Sequence, residues 1–548
     1  MPRLARRSFL TRVGYMVMVT PLLAACGQPS QPAAPAATQA PAAQPAGAAK
    51  PAEAAKPAAA APAGKAGGEL RVALESDVVT LDPPMFTDVY SNYVSSQIHE
   101  TLFQVDHDMR IVPYLAEKLD QPNDTTYVIS LRKGVKFHNG EELTAEDVKY
   151  TFTRVMDPAT KSPRANNLTD AIASADQIEA PDKYTVKITV KSPFAPFLER
   201  LTNGALQILN KKAVDAAGAD YAHKPVGTGP FKYVEWKTGE YVKVVRNDDY
   251  WDDKAKLDAV TFRPIPDANT RMAEVESGGV DYLMQIPAED IDRYKKDSKF
   301  EVQIVDAINI GYLAHNMQKA PLNDPNLRKA INYAINKQEI VETIYNGTGT
   351  VAISPLNPSN WAHNPNVEPY KYDPNKAKEL LKQSGYKGEP IEVAFNQATE
   401  LPKVAERIQA QVKENLGINL VLKPMEWGAF LTYIRGGDAH QMFLLGWNGN
   451  ADPDGILFPL FHSKNFGAAG NRAFYKNEKV DDLLLKAQTT IKQDDRKAMY
   501  FEAQDIILKD APWLPLRHGI NSAALAKKVQ GFKIHPLNRQ LFTGVTIQ

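Results

Sequence analysis

One stretch of this chain gathers an unusual density of chemistry-bearing side chains: Leu444-Leu445-Gly446-Trp447-Asn448-Gly449-Asn450-Ala451-Asp452-Pro453-Asp454. An apolar run leads into two glycines, two amides, an indole and two carboxylates. Such a set suits gripping a polar solute by hydrogen bonds and stacking better than breaking its bonds. Asp452 is open to two readings, a ligand-facing acid or a cap for a helix through Leu457 and Phe461. Trp361 and Trp427 also fall beside loop-like segments, where an indole can wall a cleft while its N–H finds a polar partner; each is equally open to ordinary packing.

The catalytic inventory is thin. No GxxxxGK[ST] phosphate loop and no GxSxG elbow occurs. His99-Glu100 begins like a zinc-protease motif, but position 103 is Phe, so the second imidazole is missing. The ten histidines show no metal-ligand spacing, and His138 in Lys136-Phe137-His138-Asn139-Gly140 reads as a turn residue. The single cysteine, Cys26, excludes a disulfide framework and any multi-thiolate metal site. The expectation is a chain that catalyses nothing and takes no cofactor and no metal.

The elements that must carry these residues read as α/β. Alternating strands are expected at Glu69–Leu74, Lys183–Val190, Tyr241–Arg246, Ala259–Arg263, Ile391–Phe395 and Ile418–Leu422. Helices begin where capping chemistry is visible: Thr144 with Asp147 three residues on, Asp324-Pro325 and Asp373-Pro374. Further helices are expected from Pro402 to Leu416, stopped by Gly417, and over Val480–Ile491 and Arg496–Leu508. This alternation predicts largely parallel sheets, whose strand ends would place the Trp447–Asp454 loop where ligands bind.

Composition sets the frame. The 548 residues carry 64 basic and 64 acidic side chains, so zero net charge argues against a nucleic-acid footprint, and no apolar run near 18 residues is present. The neutrality is uneven. Arg3, Arg6, Arg7 and Arg12 face no acid up to Cys26, and the body from Gly67 onward is left at −6. Residues 1–26 read as an export signal: a basic start, an apolar stretch from Val13 to Ala25, then Leu23-Ala24-Ala25-Cys26, which resembles a bacterial lipobox with Cys26 as the lipidated residue. Arg6-Arg7-Ser8-Phe9-Leu10 resembles a twin-arginine signal. From Gln31 to Ala66 there are 19 alanines and 7 prolines in 36 residues, the composition of a disordered tether; 27–67 is assigned to this linker.

Ordered along the body are Leu115-Ala116-Glu117-Lys118-Leu119, Leu131-Arg132-Lys133-Gly134-Val135-Lys136-Phe137-His138-Asn139-Gly140, Thr144-Ala145-Glu146-Asp147-Val148, Gly227-Thr228-Gly229-Pro230-Phe231, Asp249-Tyr250-Trp251 and Leu327–Ile335. From about Gly68 to Ile547 the chain thereby resembles the dipeptide/oligopeptide-binding lipoproteins of ABC importers. The resemblance implies a two-lobed, type II periplasmic-binding-protein-like fold with an inserted domain. Lobe one would combine 68–103, 226–308 and 515–548, the insert 104–225, and lobe two 309–514. It implies a monomer that closes over a peptide-like solute and delivers it to permease subunits, held to the outer face of the membrane by the lipid alone. A cleft lined by Thr87, Asp88 and Tyr90 from one lobe and by Trp361, Asn396, Gln397, Trp427, Trp447, Asn450 and Asp452 from the other is expected.

The sequence departs from the dipeptide scheme at both charged ends. Asn450 stands where the peptide binders carry an aspartate for the amino group, and Phe395-Asn396-Gln397-Ala398 holds no arginine for the carboxylate. Longer peptides or a neutral oligosaccharide stacked on tryptophan remain open, as do a ligand-sensing lipoprotein and a secreted hydrolase with an unrecognised site.

Overall fold

The structure, a computed structural model, describes residues 67–397, 400–467 and 470–548. The export signal, Cys26 and the alanine/proline linker lie outside the described residues, apart from Gly67. No helix among the described residues is long and apolar enough to cross a membrane.

Two mixed sheets form the framework. One has seven strands in the order Phe300–Asp306, Ile520–Ala526, Tyr282–Met284, Glu69–Leu74, Ala259–Pro264, Tyr241–Arg246 and Phe231–Lys237. The other has six: Thr350–Val351, Trp513–His518, Asn309–His315, Met442–Asn448, Ile391–Asn396 and Leu420–Met425. Separate cores lie under the two sheets, around Val72, Phe262 and Tyr282 in the first and around Leu313, Val393 and Leu444 in the second. The fold is therefore α/β and two-lobed.

The expectation of largely parallel sheets does not hold. Only the pairings of Glu69–Leu74 with its two neighbours and of Ile391–Asn396 with its two neighbours are parallel; the other ladders in these sheets are antiparallel. The reason is connectivity. Phe231–Lys237 turns straight back into Tyr241–Arg246 through Gly239 at φ 77°, and the strands nearest the lobe boundary run up one sheet and return down the other. The helix Ala145–Met156 packs not on either large sheet but on a third, wholly antiparallel sheet of Ala116–Asn123, Thr126–Leu131, Thr185–Thr189 and Ile178–Asp182, whose core contains Ile129, Phe152 and Ile188.

Local chemistry explains the helix starts. Thr144 and Asp147 form the expected capping box, with the Asp147 carboxylate accepting from the Thr144 backbone N–H at 3.0 Å, and the helix Ala145–Met156 buries Val148, Phe152 and Val155. Asp324 and Asp373 cap Pro325–Tyr333 and Pro374–Gln383. Leu401–Leu416 ends at Gly417, whose φ of 70° suits a residue without Cβ.

The chain crosses between the two large sheets twice, through Ala307-Ile308 and through Gly519. The crossings are tied together: Ala307 N–H donates to the Gly519 carbonyl at 3.0 Å, and Gly519 N–H donates to Asn309 Oδ1 at 2.7 Å. Since Trp513–His518 bonds within the six-stranded sheet, the return crossing lies past residue 515, the border expected from sequence.

The antiparallel unit is anchored by the segment that sequence alone singled out as a failed zinc motif. His99 is buried between Ser95 Oγ at 3.1 Å and Tyr221 Oη at 3.0 Å, and burial pushes its pKa down to about 3. Gly227 lies so close that a Cβ there would stand 2.0 Å from the Ile98 carbonyl, which accounts for the glycine in Gly227-Thr228-Gly229. His138 bridges the same loop, Nε2 donating to the Gly229 carbonyl at 2.9 Å while Nδ1 accepts from Gly227 N–H at 3.4 Å. With the folded-state pKa of His99 near 3 and the unfolded value near 6.5, the unfolded chain takes the proton first. Stability from this group is complete above about pH 6.5 and falls by up to ~1.4 kcal/mol per unit below it. His99→Gln is therefore expected to shallow the acid limb of a urea-midpoint profile between pH 7.5 and 5.5; an unchanged slope would refute the assignment.

Candidate functional site

Three adjoining cavities lie where the sheets meet. The first, of about 390 Å³, has walls from the antiparallel unit (Arg110, Leu198) and from the six-stranded half (Trp361, Asn450, Arg496). The second, of about 440 Å³, is rich in amides, with Gln285, Asn309, Asn448, Asn521 and Asn538, and has Tyr90 and Arg539 on its wall. The third, of about 260 Å³, lies within the six-stranded half at the ends of Met442–Asn448 and Trp513–His518 and mixes apolar walls with Lys337, Glu400 and Arg517. Ile308 is common to the first two and Asn309 and Asn448 to the last two, so the three cavities adjoin along the crossing segment.

The loop after Met442–Asn448 is built to enter this cleft. Trp447 and Asn448 stand opposite Ile310 and Asn309 in the ladder, and Gly449 N–H then donates to the Ile308 carbonyl at 2.7 Å. A Cβ on Gly449 would stand 2.6 Å from Ile456 Cδ1, so glycine is what lets the loop lie flat on the crossing. The Trp447 indole is half-buried, its N–H donating to the Gly455 carbonyl at 3.2 Å.

Of the residues expected to line the cleft, the structure brings Tyr90, Trp361, Trp447, Asn450 and Asp452 onto its walls. Tyr90 donates its hydroxyl to Glu75 at 3.0 Å, and Trp361 meets Tyr500 edge-on at 6.0 Å. The other five line none of the three cavities. Asp88 caps the helix Val89–Ile98, accepting from Ser91 N–H at 2.7 Å, and the exposed Thr87 offers its carbonyl to Arg164 at 3.0 Å. Asn396 and Gln397 end their strand, with Gln397 N–H donating to the Met425 carbonyl. Trp427 opens the helix Trp427–Arg435 on the surface, 47% exposed.

Asp452 fits neither reading cleanly: the helix Asp454–Phe461 starts at Pro453 with no side-chain cap, and Asp452 is instead the partner of Arg496. One oxygen accepts from Asp454 N–H at 2.9 Å, and both take the Arg496 guanidinium at 2.8 and 2.7 Å, so the pair forms part of the wall of the first cavity. Around this pair lies a buried acidic group. Burial, reinforced by Asp452, raises Asp454 to about 6, and burial raises Glu199 to about 7. Arg200 reaches to 3.6 Å from Asp454, and Ala195 N–H donates to the Gln488 carbonyl at 2.7 Å, so the antiparallel unit touches the six-stranded half beside the first cavity.

Residues 110–468 match the model of the family described as bacterial extracellular solute-binding proteins, family 5. The chain belongs to this family. Similar to this family 5 protein is the glutathione-binding protein GsiB of Salmonella choleraesuis, 35% identical over 482 residues, which cover 86% of this chain and 93% of that protein. Among solved structures, the periplasmic binding protein DppA of Helicobacter pylori in complex with the peptide STSA is 35% identical with a TM-score of 0.78, covering 88% of this chain and 98% of that one. CtaP of Listeria monocytogenes, a substrate-binding protein of an ABC transporter, is 27% identical with a TM-score of 0.81, covering 88% and 100%. The function is that of a solute-binding protein of the ABC-transport type.

Several cleft residues of this family 5 chain escaped the sequence reading. Asn309, Asn521 and Asn538 sit on or beside the crossing strands, and nothing in a lone asparagine announces that. Asn448 was the legible one, alternating with Trp447 and Gly449 in the loop already singled out.

Proposed function

We propose that this solute-binding protein captures a peptide-sized solute in the cleft between its lobes and presents the closed form to the permease of an ABC importer, making and breaking no covalent bond. The observation that carries this is the amide-lined floor on the crossing strands. Carboxamides can both donate to and accept from a peptide backbone, and they belong to segments that move together only when the lobes close. A solute touching both walls stabilises the closed arrangement by its differential affinity for it. GsiB and DppA, named for glutathione and shown with a tetrapeptide, set the size class. Tyr90, Trp361, Trp447 and Asn450 are the expected contacts, the protein acts as a monomer, and lipid on Cys26 holds it outside the cytoplasmic membrane after export, by the twin-arginine route if Arg6-Arg7 is decisive.

The test is a thermal-shift series on the purified protein with glutathione, Ser-Thr-Ser-Ala and maltotriose. A true ligand at 100 times its Kd adds about 2.7 kcal/mol of stability. A shift with maltotriose and none with the peptides would overturn the reading. Trp447→Ala is expected to cost about 2 kcal/mol of peptide binding, as removal of a cleft aromatic commonly does, with a smaller change in melting temperature. Loss of both in equal proportion would make Trp447 a packing residue. Cys26→Ala is the separate check of the anchor, read as release from the membrane fraction.

A further inference from the structure

The third cavity holds two cations that make no ion pair among the described residues. Lys337, first residue of the helix Lys337–Ile344, is only 6% exposed, and its Nζ donates to a single acceptor, the Ala352 carbonyl at 2.6 Å. Arg517, on Trp513–His518, lies with Cζ 4.0 Å from the centre of the Tyr345 ring. It gives Nε to the Thr348 carbonyl at 2.8 Å and one Nη to the Thr348 hydroxyl at 3.2 Å. Among the described residues neither cation has a carboxylate within ion-pair distance, and the second Nη of Arg517 makes no hydrogen bond.

Glu400 is the acid on the cavity wall; it is exposed, forms no ion pair among the described residues, and acts on Arg517 only through space while burial pulls the guanidinium pKa down. His518, behind the two cations, is buried and neutral, its pKa pushed down to about 4 first by burial and then by His363, Lys337 and Arg517. Burial alone holds Lys337 down to about 8. Keeping two cations in such a place with no carboxylate in hydrogen-bond contact is costly, and a buried charge is ordinarily paired. The space beside them is about 260 Å³, with Ile340, Val404, Leu444 and Trp447 among its remaining walls.

We infer that this corner of the cleft receives the terminal carboxylate of the solute between Arg517 and Lys337, with an apolar side chain against the Leu444–Trp447 wall. The substrate class is thereby narrowed to solutes bearing a free carboxylate beside an apolar group. A guanidinium with an open Nη and an ammonium with two open N–H bonds offer charge-assisted donors, roughly twice as strong as neutral ones. This assignment rests on the peptide reading of the cleft.

Titration calorimetry with Ser-Thr-Ser-Ala and its C-terminal amide tests it. The protein is expected to bind the acid at least about 30-fold tighter than the amide, and Arg517→Gln and Lys337→Met are each expected to pull that ratio down by about tenfold, as loss of one charged donor should. Melting curves identify a variant that fails to fold. The acid/amide comparison on the unaltered protein needs no variant, and Lys337→Met keeps the volume of the stem. Equal binding of acid and amide, or an acid preference surviving in both variants, overturns the carboxylate corner and leaves the peptide reading standing. Binding of neither peptide overturns both.

Discussion

Asp452→Ala is expected to lower the free energy of unfolding by about 3–5 kcal/mol, the usual cost of removing one partner from a buried ion pair. The aspartate is 8% exposed and Arg496 5%, and the two form a fork of 2.7 and 2.8 Å bonds. Burial would lower the guanidinium pKa, but Asp452 outweighs it and keeps Arg496 firmly charged. Without the carboxylate, Arg496 retains the Ala487 carbonyl at 2.9 Å, the Tyr500 hydroxyl at 3.0 Å and the faces of Trp361 and Tyr500, none of which carries a negative charge. Equilibrium urea denaturation measures the loss, and a change under about 1 kcal/mol would show that the pair is wet in solution. Asp452→Leu combined with Arg496→Met should recover much of the deficit, because the guanidinium is then not left buried without its carboxylate. Trp361 and Asn450 share the cavity above this pair, so binding in the single variant is expected to fall through loss of wall geometry.

Glu100→Ala is expected to cost about as much, because it removes the acceptor for three buried donors at once, each worth about 1–3 kcal/mol when orphaned. The Glu100 carboxylate, 2% exposed, takes the Tyr250 hydroxyl at 2.5 Å, the Thr228 hydroxyl at 2.7 Å and the Trp251 indole N–H at 2.9 Å. These donors lie after the antiparallel unit in the chain and Glu100 before it, so the network ties together the two segments from which that unit emerges, and Trp251 also packs on its core. Burial raises the Glu100 pKa against the pull of its donors. Limited proteolysis should therefore cut Glu100→Ala first within 104–225 while both large sheets persist. Glu100→Gln, which keeps an acceptor oxygen, is expected to lose less. Cleavage spread evenly over the chain would show that the network does not act at this joint.

The boundary between sequence and tertiary structure runs along the range of the interactions. Caps such as Thr144 with Asp147 and Asp324 before Pro325 were legible because donor and acceptor lie within a few residues. Asp88 was legible by the same rule, with Ser91 three residues on, and was read as a ligand contact instead. The strands showed themselves by alternation, yet alternation does not say which neighbour a strand will choose, and so the antiparallel majority was missed. The loop Trp447–Asp454 was singled out from composition, and the structure lays much of it along the cavities. That Asp452 belongs to Arg496 depends on a contact across 44 residues, and that Trp427 faces solvent while Trp361 walls a cavity depends on packing around each ring.

The cationic corner makes the same point most sharply. No arginine follows Ile391–Asn396, and from sequence alone the clamp that dipeptide binders use for the carboxylate looked absent or displaced. Lys337 and Arg517 are 180 positions apart and meet only because Lys337–Ile344 packs beside Trp513–His518. The sequence by itself determined the elements, their caps and the family, since those rest on neighbours along the chain. The tertiary structure alone decided which polar groups are left with open valences, because burial and the loss of water are properties of the folded surroundings and of no residue taken singly.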